Sequence, residues 1–558
     1  MFDRHLRVWP EGVPHKIEFP QHTVVQNLIN SATRLPDHAA IIYHGHTLSY
    51  AQLLMQVEAM AGYLQNELGV QRGDRVLLNM QNSPQAVIGY YAIMRADAAV
   101  VPVNPMSHKA ELTHYAKNSG ATVMLTGQEL LPNALPLIDD GLLTAIIAAN
   151  YAEMSDPDYD IPVPAPIGDL DPAQIAGPGV IRWTDAIAAN EAPRPALATA
   201  DDLAVIPYSS GTTGAPKGCV HTHFTLQVTC HGGLVWNPMA DDDVSLSVLP
   251  FFHVTGMQSA MNMPISSGGT MVIMTRWNRA IAAKLIERYK VSRWRSISTM
   301  AIDLVNDPHF SDYDLSSLVA IGGGGAAMPA AIAKKLKDGT GLDYVEGYGM
   351  SETMAATHIN PVDAAKRQCL GIPVFDVDSR VIDPTTQKEL GPMETGEIIM
   401  SAPQVFKGYW NNPKATAEVM LDYDGKTFLR TGDLGYYDED GYFFMVDRVK
   451  RMINASGFKV WPAEVEAMMH KHPDIAEVCI ISTADPRRGE TVKAVVVPQK
   501  SSEKAVTADN IISWCREEMA AYKCPTIIEF TDGLPKSGTG KVLWRSLQEQ
   551  ENKRSGPA

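Results

Sequence analysis

Several short stretches carry residues able to do chemistry. "YSSGTTGAPKG" (208–218) supplies two serines, two threonines, three glycines and Lys217. Such a loop can bend its backbone around an anion and add one positive charge. "PKSGTGK" (535–541) is a second loop of glycine, hydroxyl and lysine. Neither fits the P-loop spacing, which wants Gly-Lys followed by Ser or Thr and another glycine five residues upstream. Either loop alone reads as a surface loop, since Gly/Ser/Thr clusters usually are. The first follows a buried strand pattern, and ligands of open α/β sheets sit at strand C-termini.

Between the two loops lie further candidates. "GYGMSETMA" (347–355) offers Tyr348, an aromatic able to stack on a base, and Glu352, a hard oxygen ligand suited to Mg²⁺. "FLRTGDLGYYDEDGY" (428–442) places Asp433 where a buried carboxylate could accept from ribose hydroxyls, followed by a hairpin turn at 438–441. "PFFHVTG" (250–256) sets His253 among aromatic residues, the usual setting of a packed core histidine. "GGGGAAMP" (322–329) contains G-x-G-x-x-A, a weak dinucleotide signal with Asp343 as its acidic partner. No βαβ strand is expected at that spacing, and the glycines could equally let a flat ring lie on bare backbone.

The elements that must hold these residues follow from hydrophobic periodicity. Residues 48–68 form an amphipathic helix pattern, 73–80 a buried strand, and 84–105 a helix, a turn and a strand. That alternation predicts a parallel sheet covered by helices. Residues 153–195, rich in Pro, Asp and Ala, are expected to be a surface excursion. "LAVIPYSS" (203–210) and "VAIGGGG" (319–325) read as strands, and Pro329 suits the first turn of a following helix. Past residue 448 the pattern becomes a small α+β unit with strands in 476–482, 491–499 and 526–530. Domains are expected at 1–448 and 449–558.

Bulk composition narrows the partners. The 558 residues include 63 acidic and 47 basic side chains, a net charge of -16, which argues against nucleic acid bound through a basic surface. The six cysteines include no C-x-x-C pair, so zinc or redox motifs are unsupported. Scattered thiols, no apolar leader and no stretch of eighteen apolar residues lead to a cytoplasmic expectation.

In their order along the chain, "SSGTTGAPKG", "YGMSET", "TGD", "DRVKRMI" and "PKSGTGK" resemble the adenylate-forming superfamily, in its acyl-CoA synthetase branch. The likeness runs from about residue 20 to 548, and its texture is similar to fatty-acid–CoA ligases, including methylmercaptopropionate–CoA ligases. It implies an α/β fold: a large N-terminal domain of αβαβα layers with a β-barrel-like subdomain, and a small mobile α+β C-terminal domain. It implies ATP, Mg²⁺ and coenzyme A, with a homodimer as the common assembly. Ser209, Ser210, Gly211, Thr212, Thr213, Gly214 and Lys217 would hold the outer phosphates. Gly324, Ala326, Tyr348 and Gly349 would form the adenine slot, and Thr353 would face the α-phosphate. Asp433 and Arg448 would bind ribose, and Thr213 and Glu352 the metal. Lys541 would act at the reacting centre, with His253 and Glu352 as further catalytic residues. Lys450 matches the hinge, and Gly457 and Phe458 the coenzyme A tunnel. Asn454 and Lys459 depart from coumarate-type ligases, which have Lys and Gln there.

For the acyl pocket the resemblance points to 231–239, 253–264, 296–300, the glycine run and 353–357, with His231, Trp236, Gly323 and Met354 as lining. These stretches hold no acidic residue and many methionines, which adapt to irregular apolar ligands. The expected substrate is an apolar monocarboxylic acid, a medium- or long-chain fatty acid or thioether acid, with Trp236 capping a short pocket. An aryl- or arylalkanoyl-CoA ligase is the alternative, ahead of a luciferase-like enzyme, a nicotinamide dehydrogenase or a non-enzymatic nucleotide-binding protein.

Overall fold

The computed structural model describes all residues except 1, 162, 165–166, 169, 210–215, 326–327, 449–450, 456–457, 486–488, 500–505, 537–541 and 556–558. The described residues fall into two compact units. One comprises Asp3–Asp378 and Ser401–Leu429; the other comprises Ser379–Met400 and Arg430 onward.

The first unit is built on two large sheets. The first sheet has nine strands, with parallel strands Ala39–Tyr43, Thr270–Ile273, Val244–Ser247, Arg293–Ser296, Ala320–Gly324 and Tyr344–Met350 as its centre. Antiparallel strands close its edges. The second sheet has seven strands, parallel from Leu203–Val205 through Ala99–Pro102, Arg75–Asn79, Val123–Gly127 and Ala145–Ala149 to Val180–Arg182. Central strands such as Arg75–Asn79 are apolar on both faces, as helix-covered parallel strands must be.

Helices Val24–Arg34, Tyr50–Asn66, Pro84–Arg95 and His223–Trp236 fill the space between the sheets. Their core residues Leu28, Leu53, Ile88 and Leu226 share one cluster with Ile41 and Met271 of the first sheet and Val76 and Leu125 of the second. Helices Arg279–Tyr289, Ser298–Val305 and Ala330–Thr340 cover the outer face of the first sheet, where Trp294 stacks on Trp277. Lys109–Ser119 covers the outer face of the second. The result is the expected αβαβα layering.

Three local expectations change. "LAVIPYSS" is not one strand: Leu203–Val205 stays in the seven-stranded sheet, and Tyr208–Ser209 turns away to pair with Lys217–Gly218. Pro207, which has no N–H for a ladder, stands at the break. Residues 153–195 are not only a surface excursion, because Val180–Arg182 forms a sheet edge and Trp183 of helix Trp183–Ala188 is 2% exposed. Pro329 is the cap of Ala330–Thr340 and not its first residue.

The second unit carries the strands Gly396–Ser401 and Phe443–Arg448 beside the end of Lys426–Tyr437, and a five-stranded sheet centred on Ile475–Asp485 and Gly489–Pro498. Asp438–Gly441 is the hairpin turn its sequence suggests: Asp438 Oδ1 accepts from the N–H groups of Asp440 and Tyr442 at 3.0 Å, and Gly441 has φ +87°. Helices Pro462–Met469 and Ala508–Glu518 bury Val465, Met469 and Ile511 on one face of the five-stranded sheet. Helix Trp544–Ser555 packs Trp544 and Leu547 on the other, beside Cys479 and Val495.

Gly62 shows how tightly these layers close. It lies inside helix Tyr50–Asn66, and a Cβ there would sit 2.0 Å from the Glu191 carbonyl oxygen. Glycine in a helix interior ordinarily costs about 1 kcal/mol relative to alanine. Gly62→Ala is therefore expected to reverse that sign and lower the unfolding free energy by roughly 1 kcal/mol or more, read from urea unfolding. A stabilised variant would show that the 190–192 segment moves aside freely.

Candidate active site

The first glycine loop is the tip of a two-stranded ladder, with Ser209 opposite Lys217 and Tyr208 opposite Gly218. Ser210, Gly211, Thr212, Thr213 and Gly214 lie outside the described residues. The base of the loop is fixed from several sides. The Tyr208 hydroxyl donates to Asn118 Oδ1 at 2.6 Å, the Pro216 carbonyl lies 3.0 Å from a His114 ring nitrogen, and the Ser209 hydroxyl donates to the Lys217 carbonyl at 3.4 Å.

Beside this ladder runs Gly408-Tyr409-Trp410. Trp410 N–H donates to the Gly218 carbonyl at 2.7 Å, and Val220 N–H donates to the Gly408 carbonyl at 3.0 Å. This stitching fixes Tyr409 between two charges. Its hydroxyl donates to Glu352 Oε1 at 2.7 Å, while Lys217 Nζ stands 5.0 Å from its ring centroid. Glu352 is 7% exposed. Burial, reinforced by the Glu352 charge, pushes the Tyr409 phenol far up, so it remains a donor. Buried Cys219 is pushed up for the same two reasons and stays a thiol.

Glu352 itself sits in the 3-10 turn Ser351–Thr353 after strand Tyr344–Met350. The next two residues, Met354 and Ala355, have φ +47° and +84°, a conformation that non-glycine residues rarely adopt. The Thr353 hydroxyl holds this bend. It accepts from Met350 N–H at 3.0 Å and lies 2.8 Å from the Ala355 carbonyl. Two more contacts fix the turn: Phe406 N–H donates to the Glu352 carbonyl at 2.9 Å, and His221 Nε2 to the Ser351 carbonyl at 2.8 Å. A strained segment held from several sides is the kind found at functional sites.

The glycine run has a geometric cause. A Cβ on Gly323 would lie 1.8 Å from the Ser296 carbonyl oxygen, and one on Gly324 would lie 2.4 Å from that of Gly347. Strand Ala320–Gly324, helix Ala330–Thr340 and strand Tyr344–Met350 do form a parallel βαβ unit, contrary to expectation. Asp343 nonetheless stands at the amino end of its strand, away from the glycine turn, and binds Lys337 at 2.7 Å. A dinucleotide site needs its acid at the carboxyl end. Tyr348 faces His358, ring centroids 5.6 Å apart, beside Gly349. Ala326 lies outside the described residues. His253 is exposed, not packed in the core, and caps the short helix Val254–Met257 by accepting from Thr255 N–H at 3.3 Å.

In the second unit Asp433 is 1% exposed and its Oδ1 lies 3.0 Å from Arg448 Nε across the ladder. Gly432 turns at φ +69°, and Asp433 N–H donates to the Thr431 hydroxyl at 3.0 Å. Nearby, Asp447 accepts from the N–H groups of Arg448 and Ala463 at 2.7 Å, and Arg451 pairs with Glu466. Burial raises the Asp447 carboxyl above its ordinary value despite Arg451 beside it. Lys450, Gly457 and Lys541, and the side chain of Phe458, lie outside the described residues.

Of the stretches expected to line an acyl pocket, 231–239 and 253–264 meet at a small cleft, which residues of 296–300, the glycine run and 353–357 do not border. Gly233 and Asn237 border it from the end of helix His223–Trp236, and Met239, Ser259 and Met263 from the following segments. Two residues the sequence reading missed, Arg293 and Arg295, close it from strand Arg293–Ser296. Trp236 does not line this cavity. Its ring packs edge-on against Trp9 and Phe375, and its Nε1 donates to the Asn360 carbonyl at 3.4 Å. His231 is half-buried, with burial lowering its pKa. Met354 is fully buried.

Comparison with known proteins places the chain. The model for the AMP-binding enzyme family matches residues 28–410, and that for its C-terminal domain matches 464–541. A long-chain-fatty-acid–CoA ligase of Bacillus subtilis is 34% identical over 564 residues, covering 98% of each chain. A feruloyl-CoA synthase of an Amycolatopsis species is 34% identical over 515 residues, covering 91% of this chain and 95% of its own. ATP-bound MatB from Rhodopseudomonas palustris superposes with a TM-score of 0.81 at 26% identity, covering 95% of this chain and 99% of that one. The chain belongs to the AMP-binding enzyme family. Within it, the protein is an acid–thiol ligase of the AMP-forming acyl-CoA synthetase kind, with the α/β fold of the adenylate-forming enzymes.

His221 gives this site a pH signature. Burial lowers its pKa from 6.5 to about 4, and its Nε2 proton is engaged by the Ser351 carbonyl. The unfolded chain takes up a proton as pH falls through 6.5, and the folded chain does so only near 4. The stability this neutral ring confers is full above 6.5 and is lost as pH falls toward 4. In His221→Gln, whose amide can still reach the carbonyl, the loss of unfolding free energy between about pH 7 and pH 5 should shrink by roughly 2 kcal/mol. An unchanged loss would contradict the assignment.

Proposed function

We propose that the enzyme joins a carboxylic acid with an apolar acyl arm to coenzyme A through an acyl-adenylate. The observation that carries this reading is the buried, multiply held Glu352 beside Lys217 and Tyr409, at the foot of the hydroxyl-rich loop. In the first half-reaction a carboxylate oxygen attacks the α-phosphorus of ATP. The bond from the α-phosphorus to the bridging oxygen breaks, and pyrophosphate leaves. In the second, the coenzyme A thiolate attacks the acyl carbon, the bond to the AMP oxygen breaks, and AMP carries away one oxygen of the acid. The first step brings two anions together, so its catalysis is positioning and charge neutralisation.

Residues 209–214 and Lys217 hold the β- and γ-phosphates. Gly324, Ala326, Tyr348 and Gly349 flank the adenine, Thr353 faces the α-phosphate, and Asp433 with Arg448 takes the ribose. Glu352, with Thr213, fits Mg²⁺, which neutralises phosphate charge when bound: it is a buried hard-oxygen ligand whose Oε1 is already oriented by a neutral phenol. Tyr409 is a positioning residue. Lys541 supplies the compact positive charge needed at the α-phosphate during adenylation. The domain boundary lies near Lys450, about which the C-terminal domain turns between half-reactions, and the segment around Gly457 and Phe458 then serves coenzyme A.

The long-chain-fatty-acid–CoA ligase relative supports a fatty or thioether acid, and the methionines around the cavity agree with it. The feruloyl-CoA synthase relative supports an aryl acid as the second reading. AMP release from ATP with a panel of fatty, thioether and aryl acids, each with and without coenzyme A, separates them. Coenzyme-dependent AMP release is expected, and Lys541→Ala should slow adenylation by roughly 100-fold or more. Tyr409→Phe should raise the Mg²⁺ concentration needed for half-maximal rate while leaving KM for the acid unchanged. Full activity in Lys541→Ala would overturn the assignment of the reacting centre.

A further inference from the structure

Helix Lys109–Ser119 contributes no side chain to the nucleotide contacts set out above, yet it grips both segments that flank Glu352. His114 and Asn118 stand four residues apart, on one face of the helix. That face meets the two stems of the hydroxyl-rich loop. His114 Nε2 donates to the Pro216 carbonyl at 3.0 Å, and the Tyr208 hydroxyl donates to Asn118 Oδ1 at 2.6 Å. The Tyr115 ring completes the contact, its centroid 4.8 Å from that of Tyr208. Burial, with Tyr115 beside it, pushes the Tyr208 phenol up, so it stays a donor.

The last carbonyls of a helix find no partner within it. Here segments distant in sequence take them. The Asn118 carbonyl accepts from Trp410 Nε1 at 3.0 Å and from Asn411 Nδ2 at 3.3 Å. The Ser119 carbonyl accepts from Arg75 Nε at 2.7 Å, and the Arg75 guanidinium lies 5.5 Å from the Trp410 ring centroid. One residue, Asn118, thus holds Tyr208 by its side chain and Trp410 by its backbone. Gly218 is pressed between these two: a Cβ there would lie 3.2 Å from Tyr208 Cζ and 3.4 Å from Trp410 Cβ. Lys217 adjoins Gly218 in the chain, and Tyr409 adjoins Trp410.

We propose that Asn118 is a positioning residue for the outer phosphates of ATP: it fixes the loop that carries Lys217 against the segment that carries Tyr409, and so sets the spacing of Lys217 and Glu352. It acts through these neighbours and not on the nucleotide itself. A glycine-rich loop whose stems are fixed has less conformational freedom left to lose on closing round an anion. This role rests on the ligase reading above, which puts the β- and γ-phosphates at residues 209–214 and Lys217.

The test is calorimetric binding of ATP and of AMP, with Mg²⁺, to the wild type, Asn118→Ala, Asn118→Asp and Tyr208→Phe. AMP lacks the β- and γ-phosphates, so it reports the adenine, ribose and α-phosphate contacts alone. Asn118→Ala and Tyr208→Phe should each weaken ATP binding by roughly tenfold and leave AMP binding within about twofold of the wild type. Asn118→Asp keeps an acceptor for the Tyr208 hydroxyl and should hold ATP within about threefold of the wild type. Joining Asn118→Ala to Tyr208→Phe should cost no more than either alone, because both remove the same hydrogen bond. If Asn118→Ala does not fold, Tyr208→Phe, which loses one oxygen atom, decides. Equal weakening of ATP and AMP would mark a fold merely loosened and would overturn the proposal. Unchanged ATP binding would overturn it too, with the ligase reading intact. Failure of the wild type to bind ATP would strike the ligase reading, and this role with it.

Discussion

One buried carboxylate constrains the candidate active site in the first unit. Glu352 is 7% exposed, and its orientation is set by a phenol whose own position depends on two backbone hydrogen bonds to another segment. Around it the chain accepts conformations it would otherwise avoid. Met354 and Ala355 turn into the left-handed half of φ space, and the His221 ring is kept neutral under the Ser351 carbonyl. The same stitching presents Lys217 on the other side of the Tyr409 ring, so opposite charges flank one aromatic plane. An enzyme that brings carboxylate and polyphosphate together needs its charges arranged in advance, because it cannot rely on water to screen them.

The cleft at the end of helix His223–Trp236 follows a different logic. It is bounded by Met239, Leu246 and Met263, by the polar side chains of Asn237, Ser245 and Ser259, and by Gly233, where a Cβ would lie 2.1 Å from Met263 Cε. Such walls tolerate many shapes, so selectivity must come from the few polar groups among them.

Much of the architecture was legible because burial writes itself into local pattern. The apolar run at 75–79 and the amphipathic helix at 50–66 announce a covered parallel sheet, and "DEDG" announces its own turn. The glycine run at 322–325 was legible as special, though its cause, strands too close for a Cβ, needs the neighbouring chain. The residues that escaped are held by partners distant in sequence. Tyr409 meets Glu352 across 57 positions and His221 meets Ser351 across 130. "GYW" carries no local sign of either role. Arg295 lay one residue before a stretch assigned to the pocket, and period-two alternation from Trp294 could have exposed it. The packing of Trp236 onto Trp9 and Phe375 is likewise set by residues distant in sequence.

The central claim is that an oxygen of the acid becomes an oxygen of AMP. An acid labelled with heavy oxygen in its carboxylate, taken through a single turnover with ATP and coenzyme A, tests this most directly by the mass of the nucleotide formed. The account predicts AMP carrying one labelled oxygen and unlabelled pyrophosphate. Unlabelled AMP, with the heavy oxygen in pyrophosphate or phosphate, would contradict it.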